Sequence, residues 1–198
     1  MAEYLTIKDR SEAVVREKMS RFLAFAHPVA TVEEARSVIA GYVNRYHDAR
    51  HVCWAYMIGA DRTTYLSTDN GEPSGTAGKP ILGQINSAGL TNIVVIVVRY
   101  FGGIKLGTSG LIAAYREAAR QAVEAAEIIK AAELTRATLT FAYPAMEQVM
   151  RVVKRPEIAI ADQHFDNTCT LSITLPLDLL AEIEGRLTGH ATVTQQHQ

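Results

Sequence analysis

The chain has 198 residues, of which 48% are hydrophobic and 21% charged, as is typical of a globular protein with one or two buried cores. Its formal net charge of −1 excludes a general electrostatic attraction to nucleic acids, acidic partners or membrane surfaces, so such binding needs a local patch. The two cysteines are far apart in the sequence, which predicts reduced thiols in a cytoplasmic protein. The sequence shows neither an apolar signal segment nor an apolar run of membrane length, so we expect no membrane association.

The first predicted elements are a strand, a helix and a hairpin. The apolar segment at residues 20–30 predicts a strand. Thr31 and Glu34 form a capping-box pattern, and apolar residues at three- and four-residue spacing behind them predict a helix over about residues 32–46. Aromatic and β-branched residues over 51–68, interrupted by a turn, predict a hairpin. The helix is expected to pack on the sheet that these strands form.

A buried central strand and a second long helix follow. Pro80 fits the first turn of a short helix, because its missing N–H loses no hydrogen bond there. The consecutive aliphatic residues 93–98 predict a strand that is covered on both faces. Spaced apolar residues from Leu111 onwards predict a long helix, with Thr108 or Ser109 as its N-cap.

The composition changes near residue 130, and the elements beyond it predict a second domain. Strand-like and helix-like segments follow one another in the order β-α-β-β-α-β. This order is that of the ferredoxin-like arrangement, an antiparallel sheet with two helices on one face. The sequence therefore predicts an α+β protein with an amino-terminal domain at residues 1–130 and a carboxy-terminal, ferredoxin-like domain at residues 131–198.

Two glycine-rich loops carry the polar residues that indicate a function. One spans residues 69–80 and the other residues 99–110, and each leads into a predicted helix. Glycine permits close approach of a ligand, and successive backbone N–H groups at the start of a helix form an anion-binding concavity. With Arg99, Lys105 and Lys79 as candidate charges, the sequence predicts that both loops offer free amides to phosphate or another anion.

The same residues also have structural interpretations, which the sequence leaves open. A fold needs glycine-rich loops for tight turns, and Asp69 and Glu72 then accept backbone N–H groups. Arg99, at the end of a buried strand, is in that case the partner of one of these two carboxylates. Cys53 is interpreted as a core thiol, and the aromatic pair that begins at Tyr100 either stacks on bases or packs inward.

The sequence around both loops resembles that of the YigZ/IMPACT family. The resemblance rests on TDNGEPSGTAGKPILGQI, on LTNIVVIVVRYFGGIKLGTSGLIAAY and on the earlier SRF and HDARHVCWAY, and it covers roughly residues 18–126. It implies that the amino-terminal domain has the fold of the second domain of a small-subunit ribosomal protein. It also implies that the carboxy-terminal domain is similar to the last domain of elongation factor G.

The family resemblance further implies a set of partner-binding residues in the two loops. Carried onto this chain, the candidates are Asp69, Gly71, Glu72, Ser74, Gly75, Thr76, Gly78, Lys79, Arg99, Tyr100, Gly102, Gly103, Lys105, Gly107 and Thr108. Ser109 stands where relatives usually carry glycine, and Ala113 where many carry arginine, which removes one positive charge near the start of the helix. Neither a metal site nor a cofactor is expected.

The resemblance implies a regulatory binding protein and brings no established enzyme activity with it. Eukaryotic relatives restrain a starvation-responsive initiation-factor kinase by competing for its ribosome-associated activator, and bacterial members are regarded as translation regulators. We therefore expect a non-catalytic protein that associates with RNA, ribosomal particles or a translation-associated protein. Two alternatives stay open: an enzyme that acts on a phosphorylated small molecule or nucleotide, and a pure protein–protein interaction module.

Overall fold

The computed structural model describes residues 3–196, which form two compact units. The amino-terminal unit spans Tyr4–Ala131, and the carboxy-terminal unit takes in the described chain from Ala132 onwards together with Glu3. Within the described residues there are eleven strands and five α-helices, so the protein has a mixed α/β architecture. None of these helices is both long enough and apolar enough to cross a membrane.

The amino-terminal unit is built on a five-stranded sheet. The strands that lie in this unit, apart from the first residue of β1 and the last residue of β7, are β1 (Glu3–Ile7), β2 (Ser11–Glu17), β3 (Ser20–Pro28), β4 (His51–Ile58), β5 (Thr64–Thr68), β6 (Ile93–Tyr100) and β7 (Ile128–Ala132). Five of them form the antiparallel sheet in the order β2-β3-β6-β4-β5, while β1 and β7 pair with each other. The helices are α1 (Val32–Arg45), α2 (Gly78–Ser87) and α3 (Gly107–Glu124).

The central strand β6 has apolar side chains on both faces, and each face packs into its own core. Successive side chains of a strand point to opposite faces of the sheet. One face contributes to a core shared with α2 and α3 through Ile93, Val95 and Val97. The other face contributes to a core shared with α1 through Val94, Ile96 and Val98. The prediction of a central strand covered on both faces is confirmed.

The predicted strand at 20–30, helix at 32–46 and hairpin at 51–68 are observed as β3, α1 and the β4–β5 pair. Thr31 caps α1, since its side chain accepts the amide of Glu34 at 3.1 Å. The Glu34 carboxylate accepts the amide of Ala30 at 2.6 Å, one residue before the cap. The capping-box pattern therefore marks the start of this helix correctly.

The start of α3 differs from the prediction. The helix begins at Gly107, with Leu106 as N-cap and no side-chain hydrogen bond at the cap, so neither Thr108 nor Ser109 caps it. Gly107 has a φ of +73°, which favours glycine and lets the chain enter the helix before the two hydroxyl residues. Both hydroxyl residues consequently lie inside the first turn.

The carboxy-terminal unit is a four-stranded antiparallel sheet with two α-helices. Its elements are β8 (Leu134–Ala142), α4 (Met146–Val153), β9 (Ala159–His164), β10 (Thr168–Pro176), α5 (Leu180–Leu187) and β11 (Thr192–Gln196). The strands lie in the order β11-β8-β10-β9. The β-α-β-β-α-β order of elements is the predicted one, and strands and helices share a core that includes Leu139, Leu171 and Ile183.

Candidate anion-binding site

The two glycine-rich loops lie at the same end of the five-stranded sheet, where β5 and β6 terminate. Of the predicted loop at residues 69–80, residues 69–77 follow β5 as the first loop, because α2 already begins at Gly78. Of the predicted loop at residues 99–110, residues 101–106 follow β6 as the second loop, because β6 extends to Tyr100 and α3 begins at Gly107. The strand β4 begins at this end of the sheet, because its first residue, His51, pairs with Arg99 near the end of β6. The loops and the residues at the start of β4 surround a pocket of about 410 Å³, the loop pocket.

The loop pocket is lined by both loops, by the start of β4 and by the first turn of α3. Its lining residues are Arg50, His51, Gly71, Glu72, Pro73, Arg99, Phe101, Lys105, Leu106, Gly107, Thr108 and Leu111. The predicted site residues among them are Gly71, Glu72, Arg99, Lys105, Gly107 and Thr108. The fold therefore brings residues of the two predicted loops together around one cavity.

In the first loop, several amides are bonded inside the protein. The Asp69 carboxylate accepts hydrogen bonds from the backbone N–H groups of Gly75 at 2.8 Å, Ala77 at 3.0 Å and Gly78 at 2.8 Å. Burial raises the pKa of Asp69, but these bonds outweigh it and lower the pKa below the ordinary value, so Asp69 is ionised at neutral pH. The prediction that these amides are free for an anion is wrong, because the loop's own carboxylate occupies them.

The remaining predicted site residues do not line the loop pocket. They are Asp69, Ser74, Gly75, Thr76, Gly78, Lys79, Tyr100, Gly102 and Gly103. The Thr76 hydroxyl donates to the Pro73 carbonyl at 2.6 Å, and the Tyr100 hydroxyl donates to Asp48 at 2.8 Å. Gly78 packs against the backbone of β5, where an added Cβ would lie 2.8 Å from the backbone nitrogen of Thr68. These contacts give Thr76, Tyr100 and Gly78 structural roles beside the pocket.

Beneath the loop pocket, Glu72 joins the first loop to the sheet and to α3. Its carboxylate accepts hydrogen bonds from Arg99 Nη1 at 2.6 Å and from the Tyr115 hydroxyl at 2.7 Å. The Glu72 and Arg99 side chains are only 3% and 7% exposed, so this ion pair is buried. His51 Nε2 lies 3.8 Å from the same carboxylate. The sequence suggests Asp69 or Glu72 as the partner of Arg99, and the observed partner is Glu72.

Cys53 lies next to this network as a protonated core thiol. It is fully buried, and its Sγ–H donates to the Asp69 carbonyl at 2.9 Å. Burial raises the pKa of Cys53 to about 12, and burial likewise raises the pKa of Tyr115. A thiol with so high a pKa is not a nucleophile at neutral pH. The interpretation of Cys53 as a core residue is confirmed.

The side chains that line the loop pocket are cationic and aromatic. Arg99 is one of the lining residues, and its Nε is buried without a hydrogen-bond partner among the described residues. The Phe101 ring, 40% exposed, has the guanidinium groups of Arg50 and Arg99 at 5.9 Å and 5.5 Å from its centroid. Lys105 is exposed and forms no ion pair within residues 3–196. The pocket is therefore suited to an anion that carries an apolar or aromatic part.

The start of α3 adds backbone donors to the same pocket. Gly107 and Thr108 line it, and the helix has no side-chain cap. The first N–H groups of a helix have no acceptor within the helix, and the helix dipole places a partial positive charge there. The second loop therefore leads into donors of the kind that the sequence predicts, whereas the first loop uses its donors internally.

Arg50, His51 and Phe101 line the pocket but are absent from the predicted binding residues. Arg50 and His51 reach it because β4 pairs with β6 in a register that sets His51 opposite Arg99. Such a register depends on long-range pairing and is not encoded by local periodicity. The available signal was the segment HDARHVCWAY, which carries part of the family resemblance and ends within β4.

Comparison with protein families gives a match in the part of the chain that contains both loops. The matching family model describes the Impact N-terminal domain and covers residues 18–123, more than half of the chain. A solved crystal structure of a hypothetical protein is similar over the whole length, with a TM-score of 0.76 and 30% identity, covering 100% of this chain and 99% of that chain.

Curated relatives match over most of the chain. An IMPACT family member of Haemophilus influenzae is 35% identical over 193 residues, which is 95% of this chain and 92% of the relative. The IMPACT family member YigZ of Escherichia coli is 35% identical over 177 residues, 88% of this chain and 87% of the relative. Protein IMPACT of Rattus norvegicus is 34% identical over 100 residues, 48% of this chain and 31% of the relative. The chain belongs to the IMPACT family.

Proposed function

We propose that the protein is a non-catalytic binding protein with a role in translation, and that it associates with RNA or ribosomal particles through the loop pocket. The observation that carries this proposal is the cationic concavity where the two loops meet. Arg50, Lys105 and the start of α3 supply positive charge, while the charge of Glu72 is balanced by Arg99. RNA phosphates are ligands that such a surface favours.

Membership of the IMPACT family supports a role connected with translation. In this proposal the amino-terminal unit has the fold of the second domain of a small-subunit ribosomal protein, and the carboxy-terminal unit is ferredoxin-like. The strand order β11-β8-β10-β9 supports the second assignment. We propose domains at residues 1–130 and 131–198, which the division of the described chain near residue 131 supports. We also propose that the protein acts in the cytoplasm, where RNA and ribosomes are available to it.

The salt dependence of RNA binding tests the proposed function. The affinity for a fluorescently labelled single-stranded RNA is measured by anisotropy over a range of salt concentrations. Each phosphate contact releases counterions, so we expect Lys105→Gln to reduce the slope of log affinity against log salt by about 0.7. Lys105 is exposed and unpaired among the described residues, so this change leaves the core intact.

Arg116→Gln is the matched control, because Arg116 is exposed on α3 and does not line the loop pocket. We expect this variant to keep the salt slope of the unaltered protein. An RNA affinity that responds neither to salt nor to Lys105→Gln contradicts the proposal. Retention of a translation-associated protein after nuclease treatment, without RNA affinity, would favour the protein-binding alternative instead.

A further inference from the structure

The charge balance of the loop pocket favours a ligand with more than one negative charge. Glu72 and Arg99 form a buried ion pair, so their charges cancel. Arg50 and Lys105 remain, and neither forms an ion pair within the part of the chain that the structure describes. A terminal phosphate carries about −1.5 to −2 charges at neutral pH, whereas a phosphodiester within a chain carries only one. The terminal group is therefore the better electrostatic match.

The wall of the pocket also contains a buried donor that has no acceptor among the described residues. Arg99 is only 6% exposed, and its Nε has no hydrogen-bond partner among the described residues. Leaving a buried donor without an acceptor is costly, but this Nε is covered by the surrounding atoms, so a ligand oxygen reaches it only when the pocket wall moves. The hydrogen bond from Arg99 Nη1 to the Glu72 carboxylate fixes the plane of the guanidinium group, so Nε is held in place.

The size and aromatic wall of the pocket favour a single nucleotide over a helical nucleic acid. The volume of about 410 Å³ lies in the range of small-molecule sites. Phe101 is 40% exposed in the same wall, and a base can pack against the exposed part of its ring beside the guanidinium groups of Arg50 and Arg99. The cationic groups Lys105 and Arg50 line the cavity beside this ring, as does the first turn of α3.

From these features we infer that the loop pocket binds a nucleotide by its terminal phosphate, with the base on Phe101 and the phosphate at Lys105 and the start of α3. The inference rests on the proposed function and narrows it from RNA phosphates in general to a phosphomonoester. This group has two sources, the phosphorylated end of a single-stranded RNA and a free nucleoside monophosphate.

Binding of end-modified RNAs by the full-length protein tests this inference. One single-stranded sequence is compared with a 5′-phosphate, with a 3′-phosphate and with hydroxyl groups at both ends, and AMP and adenosine are added as competitors. We expect one phosphorylated end to bind about tenfold more tightly than the hydroxyl end, which corresponds to about 1.4 kcal/mol. Lys105→Gln should abolish this preference, and Arg116→Gln should retain it.

The outcomes separate the inference from the proposed function. Salt-dependent RNA binding that is equal for all three ends overturns the inference and leaves the proposed function intact. Competition by AMP but not adenosine, without affinity for RNA, supports the inference with a free nucleotide as the source and contradicts RNA association. A phosphate preference that survives Lys105→Gln overturns the assignment to this pocket.

Discussion

Replacing Glu72 with methionine is expected to lower the free energy of unfolding of the amino-terminal unit by about 3–5 kcal/mol. The substitution removes the carboxylate that binds both Arg99 and Tyr115, and it leaves the Arg99 guanidinium buried without a counter-charge. Urea unfolding followed by Trp54 fluorescence measures this loss. Trp54 is the only tryptophan in the sequence and lies in β4, so its signal reports on this unit.

The double variant Glu72→Met/Arg99→Met is the control for this explanation. Replacing both members of a buried ion pair with apolar side chains of similar size removes the uncompensated charge. We expect the double variant to recover most of the stability that Glu72→Met loses. If the losses of Glu72→Met and Arg99→Met simply add, the two side chains do not act as a pair. A loss below about 1 kcal/mol for Glu72→Met would likewise contradict a buried ion pair at the base of the pocket.

Gly102→Ala is expected to destabilise the amino-terminal unit by about 3 kcal/mol or more, because the second loop touches the β2–β3 turn at this residue. An added Cβ would lie 2.1 Å from the carbonyl carbon of Met19 and 2.5 Å from the amide nitrogen of Ser20. These are backbone atoms, which cannot move aside as a flexible side chain can. The Gly102 amide also donates to the Ser20 hydroxyl at 3.2 Å. The same fluorescence-detected unfolding experiment measures the effect.

Gly83→Ala in α2 is the matched control for Gly102→Ala. A Cβ at Gly83 would meet no atom within 4 Å, so the change adds no clash. Alanine favours the helix over glycine by about 1 kcal/mol, and we expect a small gain in stability. Equal effects of the two substitutions would show that the close approach of the second loop to Met19 does not limit the choice of residue at position 102.

Local sequence patterns are enough to predict the elements that have a strong period of their own. The aliphatic run of β6 and the capped, apolar stripe of α1 are examples, and both lie where they are predicted. The strand β2 is not predicted. It lies at the edge of the sheet, where side chains such as Val14 are exposed, at 53% for this residue, so the segment has no apolar run like that of β6. The strands β1 and β7 are stabilised by pairing with each other across the length of the unit, and no local pattern marks such a pair.

The candidate site is predictable in its loops but not in its hydrogen bonding. Glycine content and charge indicate both loops correctly, and Arg99, Lys105, Gly107 and Thr108 do line the pocket. The sequence leaves open whether the loop amides are free or bonded to Asp69, since this depends on how the loop closes, and the structure shows the second alternative. It also cannot specify the strand register that brings Arg50 to the pocket. The first loop therefore has a structural role, because its amides bond to Asp69. The second loop and the start of α3 provide the hydrogen-bond donors that face the pocket.

The most direct test of binding at the loop pocket is an amide NMR titration of the full-length protein with a single-stranded RNA that carries a terminal phosphate. We predict that the largest changes in chemical shift affect the amides of Lys105, Gly107 and Thr108, which lie at the second loop and the start of α3. The Gly78 amide, already bonded to Asp69, should change little. Largest changes in the carboxy-terminal unit, with Gly107 and Thr108 unaffected, would contradict binding at the loop pocket.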